Sequence, residues 1–136
     1  MKGWIEQLEF KEKMSQLKLF EMDIKEYQGI IKKTAVFPAE IGLTYCTMGL
    51  CGEAGEVAEK MKKLFRDKGG VVTDEFKQDV KKELGDVVWY VTALANELGL
   101  TLEEILEANY TKLIKRRETN TLHGSGDNRE ETQSIH

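Results

Sequence analysis

Along the chain from Val80 to Leu98, the apolar residues Val80, Leu84, Val87, Val91, Leu94 and Leu98 recur in alternating steps of four and three. That period fits one stripe of an α-helix and not a β-strand, whose side chains change face at every residue. Such a stripe is satisfied by packing along another helix, so the spacing predicts an all-α helical bundle. The remainder agrees, with one proline and little strand-like alternation. A chain of 136 residues with 40% hydrophobic content can build one domain with a real core, and is short for two.

Local signals place the helices. A first firm helix is expected over about residues 21 to 33. Pro38 then suits the opening of a second, where a missing N–H is no loss, running to about Arg66 with a possible bend at its glycines. The DKGG turn at 67 to 70 stops it, since Gly69 and Gly70 tolerate left-handed geometry. Thr73 or Asp74 caps a third helix reaching Leu98. Gly99 closes that helix and Thr101 opens the last, with a Thr101–Glu104 capping box and a Leu100–Ile105 staple, ending near Arg117. Residues 1 to 20 carry a loose helical pattern suited to an extra helix, a docking arm or a frayed end, and 118 to 136 form a polar tail that is either mobile or ordered by a ligand.

The charge balance narrows the function. Charged residues make up 32% of the chain, but both signs are interspersed and the net charge is -4, so no nucleic-acid polymer is expected as a partner. No apolar run approaches the ~20 residues of a membrane span, and the opening MKGWIEQLEF lacks the apolar run of a secretory signal, so a cytoplasmic protein is expected. Cys46 and Cys51 fit neither a CxxC site nor a disulfide framework and read as buried free thiols. Both histidines, His123 and His136, lie in the tail. A metal site in the folded body would therefore use oxygen ligands, which suits a hard cation.

The acids supply such ligands. Glu53 and Glu56 stand three apart in GEAGEVAEKMKK, and Glu83 and Asp86 stand three apart in KKELGDVVWY. Glycines accompany both pairs: Gly49, Gly52 and Gly55 with the first, Gly85 within the second. Each interior glycine costs a helix about 1 kcal/mol relative to alanine, so close approach of something to that backbone is expected. In an antiparallel hairpin the two pairs lie about 18 and 15 Å from the connecting turn, nearly level. Four facing carboxylates repel one another, and a divalent cation relieves the repulsion. Glu53, Glu56, Glu83 and Asp86 thus read as a Mg²⁺ site, with Mn²⁺ as a possible substitute. The competing reading of either pair alone is a solvated face with ordinary ion pairs such as Glu56–Lys60 or Glu59–Lys63.

GEAGEVAE followed by KKELGDVVWYV, with 26 residues between the acidic pairs, resembles the E-x-x-E … E-x-x-D signature of the MazG-like all-α nucleoside triphosphate pyrophosphohydrolases. EYQ at 26 to 28, NYTKLIKR at 109 to 116 and HGSGDNR at 123 to 129 extend the resemblance, which covers about residues 21 to 130. It implies Mg²⁺-dependent cleavage of a (d)NTP between the α and β phosphates, giving the monophosphate and pyrophosphate. It further implies that the four acids hold the metal and that one glutamate, Glu56 being favoured, orients or deprotonates the attacking water. A bundle completed as a homo-oligomer, either a dimer or a dimer of dimers, is also implied, with the tetramer preferred.

Further residues enter on the same resemblance. Lys63 is taken toward the phosphates from the Lys60–Lys63 pair, with surface ion pairing as its alternative. Tyr90, four residues after Asp86, either lines a nucleotide pocket or packs in the core. Asn109, Lys112 and Arg116 form a polar stripe on the last helix that either contacts base, sugar or phosphate or is a solvated face, Gln28 is a weaker candidate for the base pocket, and Arg129 could close over phosphates from the tail. Where relatives resembling deoxycytidine triphosphate pyrophosphatases carry a tryptophan, this chain has Lys62 and Lys63, which leaves base preference open. The alternatives are a phosphoribosyl-ATP pyrophosphohydrolase and a catalytically silent helical regulator binding Mg²⁺ or a nucleotide.

Overall fold

The computed structural model describes residues 22–124 and 126. Among these the chain forms four α-helices and no strand: α1 (Ile24–Thr34), α2 (Gly42–Lys68), α3 (Asp74–Glu97) and α4 (Leu102–Glu118), with a single 3₁₀ turn at Ala39–Ile41. The all-α expectation holds. The expected arm at 1 to 20 and most of the tail lie outside the described residues.

Side chains adjoining the helices account for most of their starts. The Asp23 carboxylate accepts from the Glu26 N–H at 2.7 Å and begins α1. Thr73 does the same for α3, accepting from the Phe76 N–H at 3.2 Å. The capping box of α4 is complete, with the Glu104 N–H donating to Thr101 Oγ1 at 3.1 Å and the Thr101 N–H donating to Glu104 Oε2 at 2.7 Å. Pro38 departs from expectation: its ψ of 128° is extended, so it precedes the 3₁₀ turn and α2 begins four residues later, at Gly42. Gly69, at φ 60°, ends α2 as its spacing predicts.

α2 and α3 form the main packed pair, and α1 lies across α3 and carries α4. Gln28 fixes that second junction. Its amide donates to Asn96 Oδ1 at 2.7 Å and to the Leu100 carbonyl at 3.0 Å, and its oxygen accepts from the first-turn N–H of Leu102 at 2.9 Å. The core is small, built on buried Ile31, Cys46 and Ala93 with Tyr27, Phe37, Trp89, Tyr90 and Leu94 packed around them. Cys46 is buried as expected, whereas Cys51 is exposed; both thiols are free.

The α2–α3 contact explains one glycine and leaves others open. A Cβ at Gly49 would meet the Tyr90 ring at 2.1 Å, so only glycine lets that ring lie on the α2 backbone. Gly52, Gly55 and Gly85 have no protein atom within 4 Å of a Cβ, so helix packing accounts for Gly49 and not for these three. The apolar stripe of α3 is likewise only partly covered: Val80 is buried, but Leu84 and Leu98 remain 49% and 55% exposed. Leu84 instead borders an open groove of about 440 Å³ shared with Ile24, Tyr27, Val88 and Leu102.

Candidate metal centre

Because α2 and α3 run antiparallel from the turn between them, residues at equal distance from that turn meet. Glu53 on α2 and Glu83 and Asp86 on α3 do so, each offering a carboxylate oxygen such that the three atoms lie within 4.8 Å of one another. Glu53 and Glu83 are half-buried and Asp86 is exposed. The cluster is thus open on one side and walled by helices on the other.

Its electrostatics are strained. Loss of hydration, followed by the charges of Asp86, Glu83 and Glu56, raises the Glu53 pKa above its ordinary value. The same region acts on neighbouring phenols. Burial and then the Asp86 charge raise the Tyr27 pKa, while burial, Tyr45 and Glu53 raise that of Tyr90. Three hard oxygen donors of one sign, converging at this separation with an uncompensated carboxylate among them, fit a divalent cation.

One cation from the chain already reaches the cluster. Lys60 Nζ lies 3.1 Å from Glu83 Oε1, bridging α2 to α3. The sequence favours Lys63 over Lys60 for the phosphates. Lys63 instead pairs with Glu59 at 3.4 Å on the exposed face of α2, beside the Lys62–Glu59 pair. The expected Glu59–Lys63 surface pair is therefore present, while Lys60 reaches across to Glu83 rather than down its own helix to Glu56.

The other sequence candidates distribute as follows. Glu56 is exposed and outside the three-carboxylate group, though close enough for its charge to act on Glu53. Tyr90 is half-buried, packs edge-on to Trp89 at 4.9 Å and belongs to the core surroundings, while its phenol senses Glu53. Gln28 is engaged at the α1–α4 junction. Asn109, Lys112 and Arg116 sit on α4, which is carried chiefly on α1 rather than on the α2–α3 pair. Arg116 donates to the Gly126 carbonyl at 3.0 Å, holding the start of the tail to α4. Arg129 lies outside the described residues. Tyr27, next to Gln28 in the EYQ segment, was not singled out from sequence, and only its proximity to Asp86 across two helices marks it.

Comparison with known proteins identifies the family. The profile of the MazG nucleotide pyrophosphohydrolase domain matches residues 43–121, which include all of α2 but its first residue, α3, α4 and all four acids. The chain is 46% identical over 114 residues to the Gene 37 protein of Mycobacterium phage L5, a match covering 79% of this chain and 100% of that protein. It is 35% identical over 74 residues to the uncharacterized protein YvdC of Bacillus subtilis strain 168, covering 51% of this chain and 70% of YvdC. No solved structure matches. On the extent of the profile match, the chain belongs to the MazG nucleotide pyrophosphohydrolase family.

Proposed function

We propose that the protein is a Mg²⁺-dependent nucleoside triphosphate pyrophosphohydrolase that cleaves a (d)NTP between the α and β phosphates. The observation that carries this reading is the convergence of Glu53, Glu83 and Asp86 from two helices to within 4.8 Å. Those three carboxylates would hold the ion, with Mn²⁺ as a substitute. When bound, such an ion supplies Lewis-acid polarisation of phosphate oxygens and neutralises charge on the departing pyrophosphate.

The chain's own residues do the rest. Glu56, beside the cluster and exposed to solvent, is assigned to orient the attacking water and accept its proton. Tyr90 borders Glu53 and offers a ring edge to the nucleotide. Lys63, Asn109, Lys112, Arg116 and Arg129 remain candidates for phosphate, sugar or base contacts, and Gln28 for the base only if substrate binding opens the α1–α4 junction. The large apolar side chains left exposed, among them Met48 and Phe65 at 70%, support a homo-oligomer in which a second copy covers them, a dimer of dimers being favoured. A cytoplasmic location goes with a nucleotide-pool role, and no helix among the described residues is long and apolar enough to cross a membrane.

The test is product identification. Purified protein with Mg²⁺ and each common dNTP and NTP in turn should release pyrophosphate and the monophosphate from at least one of them. Release of orthophosphate and the diphosphate would overturn the assignment of the cleaved bond. Nucleotide binding without turnover would point to a silent regulator instead.

A further inference from the structure

The Lys60–Glu83 ion pair is the part of the site that the proposed reaction leaves unused. Lys62, Lys63, Lys77 and Lys82 pair with acids three or four residues away on their own helices. Lys60 instead crosses from α2 to α3 and places its ammonium 3.1 Å from an oxygen of a carboxylate in the cluster, with the two side chains only 29% and 19% exposed. Glu56 and Asp79 add their charges around the same ammonium.

Resting on the reading of this cluster as a cation site for triphosphate hydrolysis, we propose that Lys60 is the resident counter-cation of the metal-free cluster, and that it passes to the phosphate oxygens of the substrate when an ion takes Glu83. The argument is one of charge and reach. An ammonium and a divalent cation cannot both sit against one Glu83 carboxylate without repelling each other. Lysine has a flexible four-carbon stem and three rotatable donors, so its head can relocate by a few ångströms while α2 stays still. A triphosphate bound at the ion brings several anionic oxygens to the place that the ammonium must vacate toward, and a charge-assisted hydrogen bond forms there.

The proposal gives two effects of opposite sign. Removing the Lys60 charge should tighten binding of a bare divalent cation, because a competitor is lost. It should weaken binding of the metal–triphosphate complex, because a partner is lost. A lysine that merely ties α2 to α3 would give neither pattern, since losing it would loosen Glu83 and weaken the bare ion as well.

The experiment measures Mn²⁺ binding by the loss of its free-ion electron paramagnetic resonance signal, and calorimetric binding of the non-hydrolysable α,β-imido analogues of the four dNTPs with Mg²⁺. The wild type, Lys60→Gln, Lys60→Arg and Glu83→Gln are compared, with thermal unfolding to establish that each is folded. Lys60→Gln should bind Mn²⁺ about threefold to tenfold more tightly, as expected for losing a sheltered ion-pair competitor. It should bind its best analogue about tenfold more weakly, as for losing a charged hydrogen bond, and Lys60→Arg should restore most of that loss. Unchanged or weaker Mn²⁺ binding in folded Lys60→Gln, or unchanged analogue binding, would overturn the role of Lys60 while leaving the metal site standing. Mn²⁺ binding that is absent from the wild type, or equal in wild type and Glu83→Gln, would overturn the metal site itself and this proposal with it.

Discussion

Burial and the neighbouring acids act on Glu53, and a pH dependence follows. Its folded pKa is raised by burial and by Asp86, Glu83 and Glu56, so the folded state holds a proton more tightly than the unfolded chain does. Stability of the metal-free protein should therefore fall as pH rises from the ordinary value near 4.5 through the raised folded value. In EDTA at pH 7, Glu53→Gln is therefore expected to raise Tm, a gain that vanishes once pH falls below the ordinary carboxylate value. Saturating Mg²⁺ should reverse the order and leave the wild type more stable; a wild type already the more stable in EDTA would contradict the strain. The choice among side chains within the pairs was not legible in advance, for a geometric reason. Residues three apart differ by about 60° around a helix, so the rotation of α2 about its axis decides whether Glu53 or Glu56 faces α3. The same rotation decides the lysine: Lys60 lies within about 20° of Glu53, and Lys63 within about 20° of Glu56. Centring the site on Glu56 therefore selects Lys63, whereas the fold, by turning Glu53 inward, selects Lys60.

What sets that rotation is a packing contact between helices. The Tyr90 ring lies on the α2 backbone where Gly49 has no Cβ, and this fixes which side of α2 meets α3. Gly49→Ala should cost about 1–3 kcal/mol through overpacking. Gly52→Ala, with open space at its Cβ, should instead stabilise α2 by about 0.5–1 kcal/mol. Urea denaturation of the two variants checks the contrast, and equal effects would mean that Gly49 and Gly52 share one environment. Period and turn chemistry made the helices themselves readable. The stripe from Val80, the glycines at 69 and 70 and the Thr101–Glu104 box each mark a feature found in the structure. The level of the acidic pairs followed from helix rise alone. The three-residue turn after Pro38 was not readable, because proline fixes φ and leaves ψ to its surroundings.

Among the described residues many large apolar side chains are exposed, and the assembly proposed above would cover them. Val36 is 93% exposed and Met48 and Phe65 are 70% exposed, on a molecule whose buried core centres on Ile31, Cys46 and Ala93. Sedimentation velocity should find a species of four times the 15.5 kDa chain mass, and Met48→Glu should shift it toward smaller species; a 15.5 kDa monomer at micromolar concentration would count against that assembly. At the centre of the account stands an ion held between two antiparallel helices. Anomalous diffraction at the manganese edge, from crystals grown with Mn²⁺, locates that ion without reference to turnover. The account predicts a peak in contact with Glu53, Glu83 and Asp86 together, at about 2.0–2.3 Å from their oxygens. Density for manganese only elsewhere, with those three carboxylates left to Lys60 and solvent, would contradict it.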